Sequence, residues 1–213
     1  MKLALFGATG QIGSRILDEA LGRGHAVTAI VRDPSRLAPR AGLEVVAGDI
    51  ARPQDCARAL QGVDATIVSV SPRGGTTGAQ LLALAVDLQE RLPAAGTPRL
   101  FWVGGAGSLE VAPGVRAVDT PDFPAVYRDE ALALAAVLDA LRAAPAGLEW
   151  TFVSPPFEIA PGTRGGRYRL GGDQPLFDAD GHSRISMEDY AVALLDRIEQ
   201  GDAVRRRITV VAD

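Results

Sequence analysis

The sequence predicts an α/β fold: a doubly wound parallel sheet with helices on both faces and a small C-terminal appendage. Short apolar runs rich in β-branched residues alternate with longer amphipathic segments along most of the chain. Strands and helices that alternate in this way form parallel sheets with right-handed crossovers. No linker rich in proline, glycine and serine divides the 213 residues. We therefore expect a single domain over residues 1–213.

The individual strands and helices follow from the period of the apolar residues. The apolar runs predict strands at Leu3–Phe6, Val27–Val31, Leu43–Val46, Ala65–Val70, Leu100–Val103, Trp150–Val153 and Ile208–Val211. The amphipathic segments predict helices at Ile12–Leu21, Pro53–Leu60, Gln80–Leu92, Val126–Leu141 and Met187–Glu199. No segment reaches the ~18 consecutive apolar residues that indicate a membrane span, so we expect no membrane partner.

The pattern changes after the strand that ends at Val153. The stretch SPPFEIAPGTRGGRYRLGGDQPLFDADGHSRIS, residues 154–186, is rich in proline and glycine and has no helical period. In a doubly wound sheet, ligands bind beyond the carboxyl ends of the strands. We therefore expect residues 154–186 to form a lid or substrate-side segment over that edge.

Composition excludes several function classes. The net charge of −4 and the isoelectric point near 5.3 argue against a nucleic-acid partner, which requires a basic face. The single cysteine, Cys56, cannot form an internal disulfide, and two histidines give no cluster with metal-ligand spacing. DADG, residues 178–181, and the following His182 are interpreted as a turn. The first apolar run lacks a signal-peptide cleavage site, so we expect a cytoplasmic protein without a metal.

The stretch GATGQIG, residues 7–13, lies between the first predicted strand and the first predicted helix. Gly7 is expected to allow the tight turn, Gly10 to let the backbone approach a pyrophosphate, and Gly13 to let the helix pack closely on the strand. The N–H groups at the start of the helix then face the phosphates, at the positive end of the helix dipole. The sequence therefore predicts a Rossmann-like dinucleotide site. Its predicted contacts in this loop also include Thr9, Gln11 and Ile12.

The spacing G-x-x-G-x-x-G resembles that of extended and atypical short-chain dehydrogenase/reductases. Nearly the whole chain is similar to their NAD(P)H-binding, NmrA-like group, which includes NADH-flavin reductase-like and biliverdin reductase B-like proteins. The matching segments are ALFGATGQIG, VRDPSRL, VAGDI, VGGAGSL, TFVSPP, GHSRIS and EDYA. The resemblance implies a nicotinamide dinucleotide as cofactor.

The residues after the second strand are expected to choose between the two nicotinamide dinucleotides. An acid at this place binds the ribose 2′-hydroxyl of NAD(H), whereas an arginine binds the 2′-phosphate of NADP(H). Arg32 follows the strand and Arg36 comes soon after, while Asp33 precedes Pro34 and is explained as a turn residue. The sequence favours NADP(H) over NAD(H), with a merely solvated Arg32 as the alternative.

The resemblance extends the cofactor site along the carboxyl ends of the next strands. It implies that Asp49 and Ile50 lie against the adenine, with Asp49 accepting a hydrogen bond from the amino group. Ser69 and Val70, together with the loop at residues 72–78, are expected to border the nicotinamide ribose. An ordinary polar loop before a helix is the alternative for this last stretch.

Short-chain dehydrogenases that reduce carbonyl groups use a tyrosine with a lysine four residues later, which lowers the pKa of the phenol. Here Tyr127 is followed four residues later by Ala131. The missing lysine weakens an epimerase or dehydratase assignment, whereas a flavin can accept a hydride through positioning alone. Ser108 and Tyr127 are the candidate catalytic residues. Their alternatives are a loop cap for Ser108 and a half-buried helix position for Tyr127.

A flat acceptor needs an apolar stacking surface above the nicotinamide. Gly104, Pro155 and Phe157 are predicted cofactor contacts on this side. Pro155 and Phe157 are also candidates for the stacking surface, with a core position as the alternative for Phe157. Arg164 and Arg167 are candidates to meet a flavin phosphate. Biliverdin reductase B-like proteins have a histidine after the paired prolines where this chain has Phe157, which argues against biliverdin itself. We expect FMN, riboflavin or a quinone as the acceptor.

These features favour an NAD(P)H-dependent oxidoreductase that transfers hydride to a flavin or quinone-like compound. The alternative from another class is an NmrA-type redox sensor that binds NADP(H) and turns over nothing. An epimerase- or dehydratase-like enzyme is a third possibility, against which the missing lysine counts. The sequence leaves monomer and homodimer open, because exposed helix faces can serve solvent or a second copy.

Overall fold

The computed structural model describes residues 1–73 and 75–213, apart from the side chain of residue 53. Its strands are β1 (Lys2–Phe6), β2 (Ala26–Val31), β3 (Leu43–Ala47), β4 (Ala65–Val68), β5 (Arg99–Val103), β6 (Glu110–Ala112), β7 (Val115–Arg116), β8 (Glu149–Ser154), β9 (Glu158–Ala160), β10 (Tyr168–Gly171), β11 (Arg184–Ser186) and β12 (Arg206–Ala212). The α-helices are α1 (Gln11–Gly22), α2 (Gly78–Ala94), α3 (Ala125–Arg142) and α4 (Met187–Gln200). Short 3-10 helices are Pro34–Arg36, Pro53–Leu60, Ala106–Ser108 and Ala117–Asp119.

The central sheet has eight strands in the order β10-β12-β8-β5-β4-β1-β2-β3. All neighbouring pairs are parallel except β10 and β12, which are antiparallel. The strand order reverses between β1 and β4, which are adjacent although two strands separate them along the chain. A crevice at such a reversal, beyond the carboxyl ends of the strands, is where ligands bind in doubly wound sheets.

Alternate residues of the strands feed two cores, one on each face of the sheet. In β1, Leu3 and Leu5 belong to one buried cluster and Ala4 and Phe6 to the other. Helices α1 and α4 pack together over the first face, and α2 and α3 pack together over the second. The central strands are apolar on both faces because helices cover both sides of the sheet. This is the arrangement of parallel sheets that the sequence predicts.

The helix boundaries have identifiable local causes. Helix α2 begins with a capping box, in which the Thr77 side chain accepts from the N–H of Gln80 at 3.2 Å and the Gln80 side chain accepts from the N–H of Thr77 at 2.8 Å. Helix α4 begins where Ser186 Oγ accepts from the N–H of Asp189 at 2.9 Å, and it ends at Gly201 with φ +69°.

Besides the hairpin of β6 and β7, which was not predicted, the structure differs from the prediction in three places. Strand β4 ends at Val68 rather than Val70, and Pro53–Leu60 is a 3-10 helix rather than an α-helix. Residues 154–186 contain three short strands, of which β10 joins the central sheet as an antiparallel edge strand and β9 pairs with β11. These strands have only three or four residues and are half exposed, so their sequences carry little apolar period.

The glycine-rich part of this segment is tied to the start of α4. Glu188 accepts from the N–H of Gly162 at 2.8 Å, and Asp189 accepts from the N–H groups of Gly165 and Gly166 at 2.8 and 2.7 Å. These backbone groups belong to no strand, so the two carboxylates supply the partners that a sheet would otherwise give. Nothing among the helices of the described residues is both long and apolar enough to cross a membrane.

Candidate functional site

The loop between β1 and α1 is wound so tightly that two of its glycines have no room for a side chain. Gly7 has φ +82°, and a Cβ on it would stand 2.1 Å from the carbonyl oxygen of Ser69. A Cβ on Gly13 would stand 2.0 Å from the carbonyl oxygen of Gly7. Gly7 therefore allows both the turn and the close approach of the loop after β4, while Gly13 lets α1 lie against the loop.

Gly10 differs from Gly7 and Gly13 because a Cβ on it would be much less crowded. It is exposed, has an extended conformation with φ −80°, and the nearest atom to a Cβ would be the Gly7 oxygen at 3.2 Å. A Cβ here would require only a small shift of that oxygen, far less than one on Gly7 or Gly13 would require. A glycine at this position is explained if a ligand approaches the backbone from outside.

The N-terminus of α1 is open, in contrast to those of α2 and α4. Gly10 is its N-cap, no side chain caps it, and its first turn carries no acidic residue. The first N–H groups of a helix have no partner within the helix, and they lie at the positive end of the helix dipole. Thr9, Gln11 and Ile12 surround this opening, and Gln11 is exposed. We call Gly10 and the α1 N-terminus the cradle. Helix N-termini of this kind are general anion-binding positions, and the pyrophosphate contact of the cradle stays a prediction.

At the end of β2, Asp33 and the two arginines, Arg32 and Arg36, have different surroundings. The Asp33 carboxylate accepts from the N–H and the hydroxyl of Ser35 at 3.0 and 2.6 Å, and these bonds lower the pKa of Asp33. Asp33 therefore caps the 3-10 helix that follows it, as predicted for a turn residue. Arg36 is exposed within that helix.

Arg32 is exposed, and its guanidinium extends toward the loop after β4. Arg32 Nη1 lies 3.9 Å from the position that a Cβ on Gly75 would take. The side chain thus reaches from the end of β2 to the loop at residues 72–78, of which residue 74 lies outside the described residues. This position borders the crevice where the 2′ substituent of an adenosine ribose is expected.

The remaining predicted cofactor contacts lie beyond β3, β4 and β5. The Asp49 carboxylate accepts from the N–H of Ala51 at 3.0 Å, and Ile50 packs at the margin of one core cluster. Ser69 and Val70 follow β4, and the N–H of Ser69 donates to the Phe6 carbonyl at 3.0 Å. This bond continues the β1–β4 ladder one residue past the end of β4.

Gly104 has a packing reason to be glycine. A Cβ on this residue would stand 2.1 Å from the ring of Phe152, and Gly104 is buried. Its N–H donates to the Val153 carbonyl at 2.8 Å, which continues the β5–β8 ladder. These contacts account for the residue type, and the predicted cofactor contact of Gly104 stays a prediction.

The two candidate catalytic residues lie in different surroundings. Ser108 is 5% exposed, and Arg207 Nη1 donates to its Oγ at 3.1 Å and to its carbonyl oxygen at 2.6 Å. Arg207 also donates from Nε and Nη2 to the Asp173 carboxylate at 2.9 and 2.6 Å. The contacts of Ser108 are thus those of a structural network, which corresponds to the loop-cap alternative. Its catalytic role stays a prediction.

Tyr127, in contrast, is 53% exposed in the first turn of α3. Helix α3 returns from the carboxyl ends of the strands to the start of β8, so its first turn lies at the ligand-binding edge. Ala131, four residues later, is buried at 6% exposure in the place where a short-chain dehydrogenase has its lysine. No cation among α3 residues therefore follows Tyr127 at that spacing.

Beyond β8, Pro155 is buried, whereas Phe157 is 44% exposed. Phe157 is thus not a core residue. Its N–H donates to Ser183 Oγ at 3.2 Å, and its ring contacts that of Phe177 with centroids 6.3 Å apart. Phe177 was not predicted from the sequence, because only the path of residues 154–186 brings it back to Phe157. An aromatic residue within a segment rich in proline and glycine was the one available signal.

Two further expectations for this segment can be compared with the structure. Arg164 forms a bidentate ion pair with Glu19 at 2.8 and 2.9 Å, so its guanidinium is directed at α1. It is therefore not directed at a flavin phosphate. Asp178 accepts from the N–H groups of Asp180 and His182 at 3.0 and 2.8 Å, which is the predicted turn. Asp178, Asp180 and His182 lie close together. The Asp178 carboxylate already accepts hydrogen bonds within this turn and from Arg184.

Comparisons with known proteins agree with this geometry. Residues 7–198 match the NAD(P)H-binding family. Among curated proteins, YwnB of Bacillus subtilis is 37% identical, over all of this chain and 99% of its own length. Among solved structures, a protein of Streptococcus pneumoniae described as a candidate NADH-flavin reductase is 36% identical with a TM-score of 0.84, over the whole of both chains. A candidate epimerase of Bacteroides thetaiotaomicron is 37% identical with a TM-score of 0.89, over 99% of this chain and 96% of its own. A Burkholderia pseudomallei protein described as a candidate exported protein is 44% identical with a TM-score of 0.88, over 99% of both chains.

Proposed function

The chain belongs to the NAD(P)H-binding family of the atypical short-chain dehydrogenase/reductases, and from this premise we propose that it is an NADPH-dependent oxidoreductase. The proposed acceptor is a flavin such as FMN or riboflavin, or a quinone. The observation that carries the proposal is the open cradle of Gly10 and the α1 N-terminus at the β1–β4 reversal. We also propose a cytoplasmic location and a monomer or homodimer.

The residues of the crevice divide into those that hold the dinucleotide and those that face the acceptor. Bound NADPH would supply the hydride. Gly10 and the α1 N-terminus would hold the pyrophosphate, and Arg32 would bind the 2′-phosphate. Asp49 and Ile50 would contact the adenine. Such contacts fix the position of one reactant, which is the main contribution a protein makes to hydride transfer between two cofactor-like rings.

The acceptor side supports a flat compound better than an alcohol or a ketone. Reduction of a carbonyl group requires a proton donor whose pKa is matched to the task, and the lysine that would adjust Tyr127 is replaced by Ala131. A flavin or quinone takes up its proton from solvent, because its reduced form is stable without a positioned acid. The proposed reaction is NADPH plus a proton plus oxidised acceptor, giving NADP⁺ and reduced acceptor.

The decisive experiment follows the absorbance of NADPH, and separately of NADH, on addition of FMN, riboflavin or 1,4-naphthoquinone to purified protein. We expect oxidation of NADPH with at least one acceptor, faster than that of NADH. The variants Ser108→Ala and Tyr127→Phe test the two candidate catalytic residues in the same assay. Tight binding of NADP(H) without turnover would instead support the redox sensor.

A further inference from the structure

The exposed aromatic side chains of this protein are concentrated at one edge of the sheet. Most aromatic residues are buried or half-buried, and among the described residues the exposed ones are Tyr127, Phe157 and Phe177, at 53%, 44% and 47%. Phe157 lies three residues beyond the carboxyl end of β8, Phe177 contacts Phe157, and Tyr127 lies in the first turn of α3. All three therefore belong to the edge where a doubly wound sheet binds its ligands.

Phe157 and Phe177 are held by backbone contacts on both sides. The N–H of Phe157 donates to Ser183 Oγ at 3.2 Å, and the N–H of the next residue, Glu158, donates to the Ser183 carbonyl at 2.9 Å. The Phe177 carbonyl accepts from Arg169 Nη2 at 2.5 Å. The pairing of β9 with β11 fixes the same region. The two rings thus stand on a structured support and not on a free loop.

The contact between the two rings leaves much of each exposed. Their centroids are 6.3 Å apart and their planes meet at 60°, a tilted arrangement favoured by aromatic pairs. Each side chain nevertheless keeps more than two-fifths of its surface in solvent. An aromatic pair that is built on a fixed support and still left open is better explained by a ligand than by stability.

We propose that Phe157 and Phe177 together form the stacking surface for the acceptor, one ring lying against its face and the other meeting it at the observed tilt of 60°, and that Phe177 is a residue that determines its specificity. The acceptor is then a planar conjugated ring system, such as an isoalloxazine or a naphthoquinone. Compounds without such a ring system gain no binding affinity from this surface. The proposal rests on the proposed function insofar as the ligand of this surface is the hydride acceptor.

The test measures ligand binding apart from turnover. Quenching of riboflavin fluorescence gives its Kd for protein saturated with NADP⁺, which cannot donate a hydride. We expect Phe177→Ala and Phe157→Ala each to raise this Kd about fivefold or more, since each removes one aromatic contact. Phe177→Leu, which keeps an apolar side chain but no ring, should raise the riboflavin Kd nearly as much. Phe177→Trp should bind riboflavin at least as tightly as wild type.

The matched control is Val86→Ala, which removes an equally exposed apolar side chain, 49% exposed, from the middle of α2. It should leave the riboflavin Kd unchanged, and Val86→Ala and the Phe177 variants should keep the wild-type Kd for NADP⁺ and the wild-type Tm. An unchanged riboflavin Kd in Phe177→Ala overturns the proposal, as does failure of wild-type protein to bind either riboflavin or 1,4-naphthoquinone.

These outcomes separate the stacking surface from the reaction. If riboflavin binds through Phe177 but NADPH is not consumed, the proposed function fails and the surface stands. If NADPH reduces riboflavin and Phe177→Ala leaves both the Kd and the KM for riboflavin unchanged, the function stands and the surface is wrong.

Discussion

The carbonyl oxygen of Ser69 lies 2.1 Å from the place that a Cβ on Gly7 would occupy, so the loops after β1 and β4 touch through bare backbone. Gly7→Ala should therefore lower the free energy of unfolding by about 3 kcal/mol or more. The methyl group is strained at a positive φ, and it also overpacks the contact with Ser69. Urea unfolding measures this effect. Gly24→Ala is the matched control, because Gly24 has φ +80° with nothing within 4 Å of its Cβ position. It should cost about 1 kcal/mol, and equal losses in the two variants would contradict the role of the Ser69 contact.

Gly10→Val should abolish dinucleotide binding while the protein still folds. The backbone at Gly10 has φ −80°, and a Cβ there would meet only the Gly7 oxygen, at 3.2 Å, and the Ser69 oxygen, at 4.0 Å, so a side chain there obstructs a ligand more than the fold. Titration calorimetry with NADPH measures the affinity, and thermal unfolding measures the Tm. Gly22→Ala, in the last turn of the same helix, should bind NADPH as wild type does and be more stable by up to ~1 kcal/mol. Wild-type affinity in Gly10→Val would show that the dinucleotide lies elsewhere.

Arg32→Ser should weaken NADPH binding about tenfold or more and leave NADH binding nearly unchanged, since a charge-assisted bond to the 2′-phosphate is lost. The ratio of kcat/KM for the two dinucleotides measures the change in preference. Arg36→Ser serves as the comparison, because Arg36 is an exposed cation on the same segment. If Arg36→Ser changes the preference for NADPH over NADH and Arg32→Ser does not, the assignment of the phosphate contact to Arg32 is wrong.

Glu19 makes the stability of the protein depend on pH. Hydrogen bonding to Arg164, together with that to Arg23, outweighs burial and lowers the pKa of Glu19 from 4.5 to about 2. A carboxyl whose pKa is lower in the folded state stabilises fully above its unfolded pKa, and the contribution disappears as the pH falls through the folded pKa. Glu19→Gln should thus cost up to ~3 kcal/mol at pH 7, and the cost should shrink between pH 4.5 and 2.

Urea unfolding of wild type and Glu19→Gln at several pH values tests this dependence. Asp18→Asn is the control on the same helix, since Asp18 also pairs with an arginine, Arg40, but is 62% exposed. An exposed pair of this kind contributes ~0–1 kcal/mol. A difference between wild type and Glu19→Gln that stays constant down to pH 2 would refute the ionic role of Glu19.

The fold was predictable because each of its main features has a local cause in the sequence. Apolar runs such as Leu3–Phe6 alternate with amphipathic helices, and the spacing of Gly7, Gly10 and Gly13 requires a strand on one side and a helix on the other. The turn role of Asp33 was predictable for the same reason, since its partner Ser35 is two residues away.

The acceptor side was less predictable because its contacts join residues that are far apart along the chain. Phe157 meets Phe177, and Ser108 meets Arg207, through the path of segments without a regular period. The edge strand β10 is four residues long, and its pairing with β12 depends on the sheet already being there. Loop paths of this kind follow from tertiary packing and not from local propensity.

The pairing of β10 with β12 also sets an order of events during translation. Strand β12 lies between β8 and β10 in the sheet, yet it leaves the ribosome after both of them. The residues from β1 to β5, which include the glycine loop, can associate while the rest is still being made. Strand β10 must wait for β12 before it has a neighbour, so this edge of the sheet cannot form until Arg206–Ala212 has been synthesised.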